Sequence, residues 1–120
     1  MPSQRIKGLI HKRDQGICWH CGTDVDVTIH HRQNRGMGGK KTEVADRPSN
    51  LITMCQHFNF LMESDLDAAR EARDKGLKLK QTQSPVYAHI QRFDGTLWML
   101  DDHGGMHKLE QLNLFGKELN

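Results

Sequence analysis

The stretch that most constrains the fold is "DVDVTIHHRQNRGMGG", residues 24–39, where a regular alternation runs into a glycine-rich segment. Val25, Val27 and Ile29 alternate with polar neighbours, the period-two pattern of a strand with one apolar face. That pattern expects Val25, Val27 and Ile29 on the buried side. It gives way to two adjacent histidines, His30 and His31, then to Arg32, Arg35, Gly36, Gly38 and Gly39. Neighbouring side chains on a strand point to opposite faces, so His30 and His31 reach one site only if the strand finishes or kinks at His30. The glycines downstream suggest an end there. Residues 32–48 then read as a long loop, and a loop of this length inside a small domain is usually functional.

The remaining elements follow from local signals. Residues 3–14 predict a short helix, with Ser3 as its N-cap, Ile6, Leu9 and Ile10 on one face, and Gly16 as its stop. "CWHCG" reads as a tight knuckle. "PSNLITMCQHFNFLMES", residues 48–64, reads as one helix on which Leu51, Met54, Cys55, Phe58, Leu61 and Met62 fall at helical spacing. Asn59 and Glu63, four residues apart, share a face of that helix and flank its apolar stripe. "SDLDAAREARDKG", residues 64–76, follows as a second helix, opened by Ser64 and Asp67 in capping-box fashion and closed by Gly76. From Leu77 onward the pattern changes to short strands with turns at Asp94-Gly95 and Gly104-Gly105. The chain thus divides into a main unit at 1–76 and a small β-rich appendage at 77–120.

Only 36% of the residues are hydrophobic and the mean hydropathy is −0.72, so the core is modest and suited to reinforcement by a metal or a partner. The net charge of +2 says little by itself. Its distribution says more: residues 1–41 hold eight lysines and arginines against three aspartates, leaving +5 in the first third, which fits contact with a polyanion. No apolar run approaches the ~20 residues of a membrane span, and no apolar signal segment opens the sequence, so a cytoplasmic, reducing location is expected. Cys18, Cys21 and Cys55 cannot all pair with one another, and in a reducing compartment Cys-x-x-Cys binds metal or does redox work more often than it bridges. Redox work is disfavoured here because "CWHC" is not followed by the long helix of a thioredoxin-like βαβ unit.

Histidine, amide and carboxylate side chains near a cationic, glycine-rich loop suit phosphodiester hydrolysis. A neutral imidazole, with a reference pKa of roughly 6.5, activates water. Imidazole nitrogen with amide or carboxylate oxygen suits Mg²⁺, Mn²⁺ or a late transition metal. Arg32, Arg35, Lys40 and Lys41 are placed to hold backbone phosphates.

In order along the chain, "CWHCG", "IHHR", "GG", "RPSNLITMC" and a later asparagine resemble the HNH nuclease family, also called ββα-metal or His-Me finger nucleases. The "RGMGG" and "RPSNLITMC" segments are similar to those of the short HNH proteins of actinobacterial phages. The resemblance covers roughly residues 10–75. It implies an α+β fold with a ββα-metal core, flanked by an N-terminal helix, a following helix and the β appendage. It also assigns roles: His31 as general base, His30 as a metal ligand, and Asn50 as the residue that fixes the loop and orients the base through its backbone. Asn59, nine residues after Asn50, stands where the last histidine of the motif falls, making an H-N-N variant. Glu63 occupies a further position that carries a ligand in some relatives. Zinc-bearing members have a second Cys-x-x-Cys opening at the position of Cys55, but here Phe58 replaces the fourth cysteine. Zinc held by Cys18, Cys21, Cys55 and an unidentified fourth ligand is one expectation, and small apolar packing of the three thiols is the other.

The activity implied is metal-dependent endonucleolytic cleavage of DNA, by nicking or by double-strand cutting. The alternative is a non-catalytic DNA-binding or DNA-packaging accessory module with a degenerate zinc knuckle. Relatives of this kind often sit beside the packaging terminase, so DNA and terminase or other packaging proteins are the implied partners, and host cytoplasm the implied place. His11, His20, His57, His89, His103 and His107 are expected at the surface, and Trp19 and Trp98 are expected as packing anchors.

Overall fold

A computed structural model describes residues 2–34 and 42–109. Arg35, Lys40 and Lys41, with Gly36, Gly38 and Gly39, lie outside the described residues. The fold is α+β.

Helix α1 spans Gln4–Asp14, with the Ser3 hydroxyl accepting from the Ile6 amide and Gln15 leaving the helix in the left-handed region at φ 59°. Its last two residues dock it. The buried Arg13 guanidinium is paired with Asp14 and donates to the carbonyls of Pro48 and Leu51, while Asp14 Oδ2 accepts from the Thr53 amide at 2.9 Å. A buried ion pair is tolerable when its remaining hydrogen-bonding capacity is filled in this way. The knuckle follows, closed by Gly22 N donating to the Cys18 carbonyl and Cys18 N to that of Thr23.

Strand β1, Val27–His31, and strand β2, Leu51–Cys55, pair antiparallel, with Val27 opposite Cys55 at one end and His31 opposite Leu51 at the other. Between them lie α2, Thr42–Ala45, and a 3-10 turn at Pro48–Asn50. Helix α3, Gln56–Ser64, leaves β2 directly, capped by Cys55 Sγ accepting from the Phe58 amide. Helix α4, Leu66–Asp74, follows after one residue. Strands β3, Ile90–Gln91, β4, Leu97–Leu100, and β5, Met106–Lys108, form a second antiparallel sheet.

Three sequence expectations need correction here. Residues 48–64 are not one helix: the five residues Leu51–Cys55 are a strand, and helix begins only at Gln56. Positions 51, 54, 55, 58, 61 and 62 fit helical spacing, but all five strand residues are buried, so β2 reads as an apolar run without alternation. Asn59 and Glu63 stay together on α3, but the stripe they were expected to flank no longer includes Leu51, Met54 and Cys55. Second, β1 does not bury its valines: Val25 is 64% exposed and outside the strand, Val27 and Ile29 are half-buried, and the residue sealed into the interior is His30. Third, the cap of α4 is Asp65, whose carboxylate accepts from the Ala68 amide at 2.9 Å, not Ser64. The turns at Asp94-Gly95 and Gly104-Gly105 are where the pattern placed them.

One buried cluster joins the parts. Ile52, Met54, Phe58 and Met62 pack with Trp19, Ala68 and Ala72, and Leu77, Ile90 and Leu100 belong to the same cluster. Gly76 makes the close approach possible, since it sits at φ +73° and a Cβ there would overlap the carbonyl oxygen of His89.

Candidate functional site

Two groups of chemically active side chains sit at opposite ends of the β1–β2 pair. At the Cys55 end, the sulfurs of Cys18, Cys21 and Cys55 lie within 4.8 Å of one another, close enough to hold a metal ion. Among the described residues they are the one set of three or more histidines, cysteines and acids so placed. The knuckle turn brings the first two sulfurs to the same side, and the end of β2 brings the third. Cys21 Sγ is 3.8 Å from Cys55 Sγ. Burial pushes the Cys55 thiol up to about 11. Burial acts the same way on Cys21, but hydrogen bonds from the Thr23 backbone and with the Cys18 and Cys55 sulfurs leave it below its ordinary value. All three cysteines are free of disulfides.

A cleft of about 380 Å³ opens beside these sulfurs, lined by His20, Cys21, Cys55, His57, Asp65 and Glu71 among others. His20 is not the bare surface residue expected. It is half-buried, stacks on Phe58 with ring centroids 3.5 Å apart, and shares a 2.8 Å hydrogen bond with Glu71. The His20 amide donates to Cys18 Sγ at 3.3 Å, but neither His20 nor His57 brings a ring nitrogen within the span of the three sulfurs.

At the other end, β1 continues through His31, so the strand does not finish at His30 and the pleat separates the two rings. His30 faces the interior, with Nε2 3.0 Å from the Leu77 carbonyl. Burial lowers its pKa to about 4, with His31 adding in the same direction, so the ring is neutral near pH 7. A carbonyl accepts only, so Nε2 carries the proton and the lone pair is on Nδ1. His31 faces the other way, and its Nε2 lies 2.7 Å from Oδ1 of Asp46. Asp46 is buried, and its carboxylate accepts from Nε2–H, which in the neutral ring leaves the lone pair on Nδ1. Glu63 sits at the rim: its carboxylate is 58% exposed and reaches Lys78 at 3.4 Å.

Asn50 clamps the backbone around His31. Its Oδ1 accepts from the Gln33 amide at 2.8 Å, and its Nδ2 donates to the carbonyls of Gln33 and Ala45. Holding Ala45 fixes the neighbouring residue, Asp46, against the histidine. No sequence rule pointed to Asp46. The available signal was a carboxylate in the segment between His31 and Asn50, and Glu43 met it equally well.

Arg32 was expected on a phosphate, and the structure excludes that. It is fully buried and donates to four main-chain carbonyls, those of Gly76, Ser49, Pro85 and Ala88, at 2.9 to 3.2 Å. Burial, with the like charge of Arg13, lowers its pKa to about 9. It is a staple between β1, the turn before β2 and the segment after α4. The companion residues Arg35, Lys40 and Lys41 fall outside the described residues.

A second cleft, of about 610 Å³, lies along α4 and residues 80–83. No helix among the described residues is long and apolar enough to cross a membrane. Comparison with protein-family models, with curated proteins and with solved structures gives no match to this chain.

Proposed function

We propose that this chain is a metal-dependent DNA endonuclease of the HNH, or ββα-metal, type, with β1, β2 and α3 as its ββα core. The observation that carries the reading is the tethering of two histidines at one strand end. Each commits Nε2 to an oxygen, Leu77 O for His30 and Asp46 Oδ1 for His31, and each keeps the Nδ1 lone pair. In this reading His31 Nδ1 takes the proton of the attacking water. Asp46 holds the tautomer and offsets the charge that develops on the ring. Asn50 keeps both in register through Gln33 and Ala45.

The resemblance assigns His30 and Asn59, with Glu63 at the rim, to a divalent cation such as Mg²⁺, Mn²⁺ or a late transition metal. The pleat puts His30 on the face opposite His31, so the strand end has to turn for the two to serve one phosphate. A neutral imidazole whose other nitrogen is held by a carbonyl is the usual form of a histidine ligand. Bound there, such an ion would supply Lewis-acid stabilisation of charge on the phosphate. The cysteine trio fits a structural Zn²⁺, three thiolates leaving one tetrahedral position to be filled. A phage source, a cytoplasmic place and terminase or packaging partners belong to the same proposal.

A second reading, a non-catalytic DNA-binding or DNA-packaging accessory module, draws on one observation: the cysteine donors converge while the histidines face apart. Supercoiled plasmid incubated with the protein in Mg²⁺ or Mn²⁺, with EDTA as control, separates the two. Nicked or linear product in the metal lanes alone supports the nuclease. Intact plasmid in every lane, retarded by bound protein, supports the accessory module.

A further inference from the structure

The second cleft gathers the cations that the buried Arg32 cannot supply. Its lining includes Arg70 and Arg73 of α4 and Lys80, Thr82 and Gln83 from the segment beyond it, against one carboxylate, Asp74. All three cations are exposed, and among the described residues none of the three makes an ion pair or side-chain hydrogen bond. Helix α4 sorts its charges by face. At about 100° per residue, Leu66, Arg70 and Arg73 point one way, Asp67 and Glu71 roughly 110° away, and Ala68, Ala69 and Ala72 into the core. The acidic face borders the cysteine cleft, where Glu71 is held by His20 and Lys75. The cationic face borders the other.

The far wall of this groove is stitched to the segment that carries His31. Leu79 N donates to the Arg32 carbonyl at 2.7 Å, and Gln33 Nε2 donates to the carbonyls of both Lys80 and Gln83 at 2.8 Å. Gln83 in turn accepts from the Lys80 amide, closing the wall into a fixed turn. Lys80 is three residues from Leu77, whose carbonyl holds His30. We propose that this groove is a track for the phosphate backbone of duplex DNA, with Arg70, Arg73 and Lys80 as its phosphate contacts. The choice of DNA among polyanions rests on the nuclease reading; the groove and its charge do not.

Duplex binding measured by fluorescence anisotropy on the protein as purified, with no divalent cation added, between about 50 and 200 mM salt, tests the groove without cleavage. Each phosphate contact contributes about 0.9 to the slope of log affinity against log salt. Arg70→Glu/Arg73→Glu lowers that slope by about 2 and weakens binding at least about tenfold at 100 mM salt. Arg70→Lys/Arg73→Lys keeps most of both, and the exposed positions leave the circular dichroism spectrum unchanged. An equal charge reversal on α1, Arg5→Glu/Lys12→Glu, is the control. The proposal is overturned if wild-type protein does not bind duplex, if the α4 reversal leaves the slope unchanged, or if the α1 control lowers it equally. If plasmid is never cleaved but the slope still falls by about 2, the nuclease reading fails and the groove stands.

Discussion

The two ends of the β1–β2 pair pose the same problem, bringing several donors to one point, and meet it differently. At the Cys55 end the donors come from separate segments, a turn and a strand terminus, and each segment aims its own sulfur, so the three converge within 4.8 Å. At the His31 end the two donors are neighbours on one strand, and the pleat sends them to opposite faces. About four residues of strand, roughly 13 Å, separate the ends. Adjacency along a strand works against convergence, whereas distance along the chain does not, provided that turns supply the direction. The histidine end gains its order from outside the strand, through Leu77, Asp46 and the Asn50 clamp.

The largest effect is expected at the cysteines. Cys21→Ser, at an exposed position, removes one donor with little packing loss. Zinc content by elemental analysis should fall from about one per chain to none, and the thermal midpoint should drop by about 10 °C or more. Retention of the midpoint in that variant would reduce the trio to small apolar packing. Next comes Arg32→Met, which leaves three buried carbonyls and one half-buried one without their donor. A loss of about 3–5 kcal/mol in denaturant unfolding is expected, with no change in the salt slope of DNA binding among molecules that remain folded. A changed slope at full stability would return Arg32 to the phosphate.

Asp46→Asn sharpens the other half of the contrast. It keeps the shape but can present an amide to His31 Nε2, so the ring tautomer is no longer fixed. Plasmid cleavage should slow by about 10–100-fold while the unfolding midpoint moves little. Equal cleavage rates would make the contact structural only. The smallest effect belongs to Glu63→Gln, since the carboxylate is exposed and its contact with Lys78 is long. Stability should change by less than about 0.5 kcal/mol, and the metal titration of cleavage should shift modestly toward higher concentration. An identical titration would remove Glu63 from the set.

Much of the outline was legible in residues with strong local chemistry. Ser3 capped its helix, "CWHCG" turned as a knuckle, Gly76 ended α4, and Asp94-Gly95 and Gly104-Gly105 marked the turns of the second sheet. What failed was wherever burial overrode pattern. Leu51–Cys55 is buried at every position, so it lacks the alternation that identifies a half-buried strand, and its spacing to Phe58 and Met62 imitates a helix. Val25 and His30 exchanged their expected environments for a related reason: His30 is interior because the Leu77 carbonyl, 47 residues away, satisfies its ring. Arg32 had no local signal at all, its acceptors lying 17 to 56 residues away. Asp46 was hidden in the same way, because its role depends on where Asn50 pulls Ala45.

The central claim is that His31 serves as the base at a metal-dependent phosphodiester site. Initial rates of supercoiled plasmid nicking in Mn²⁺, for wild type, for His31→Ala, and for His31→Ala with added imidazole, address it directly. The account predicts a loss of at least about 100-fold in the variant, at unchanged fold and duplex affinity, with partial recovery as imidazole is raised. A variant that nicks at the wild-type rate would contradict it.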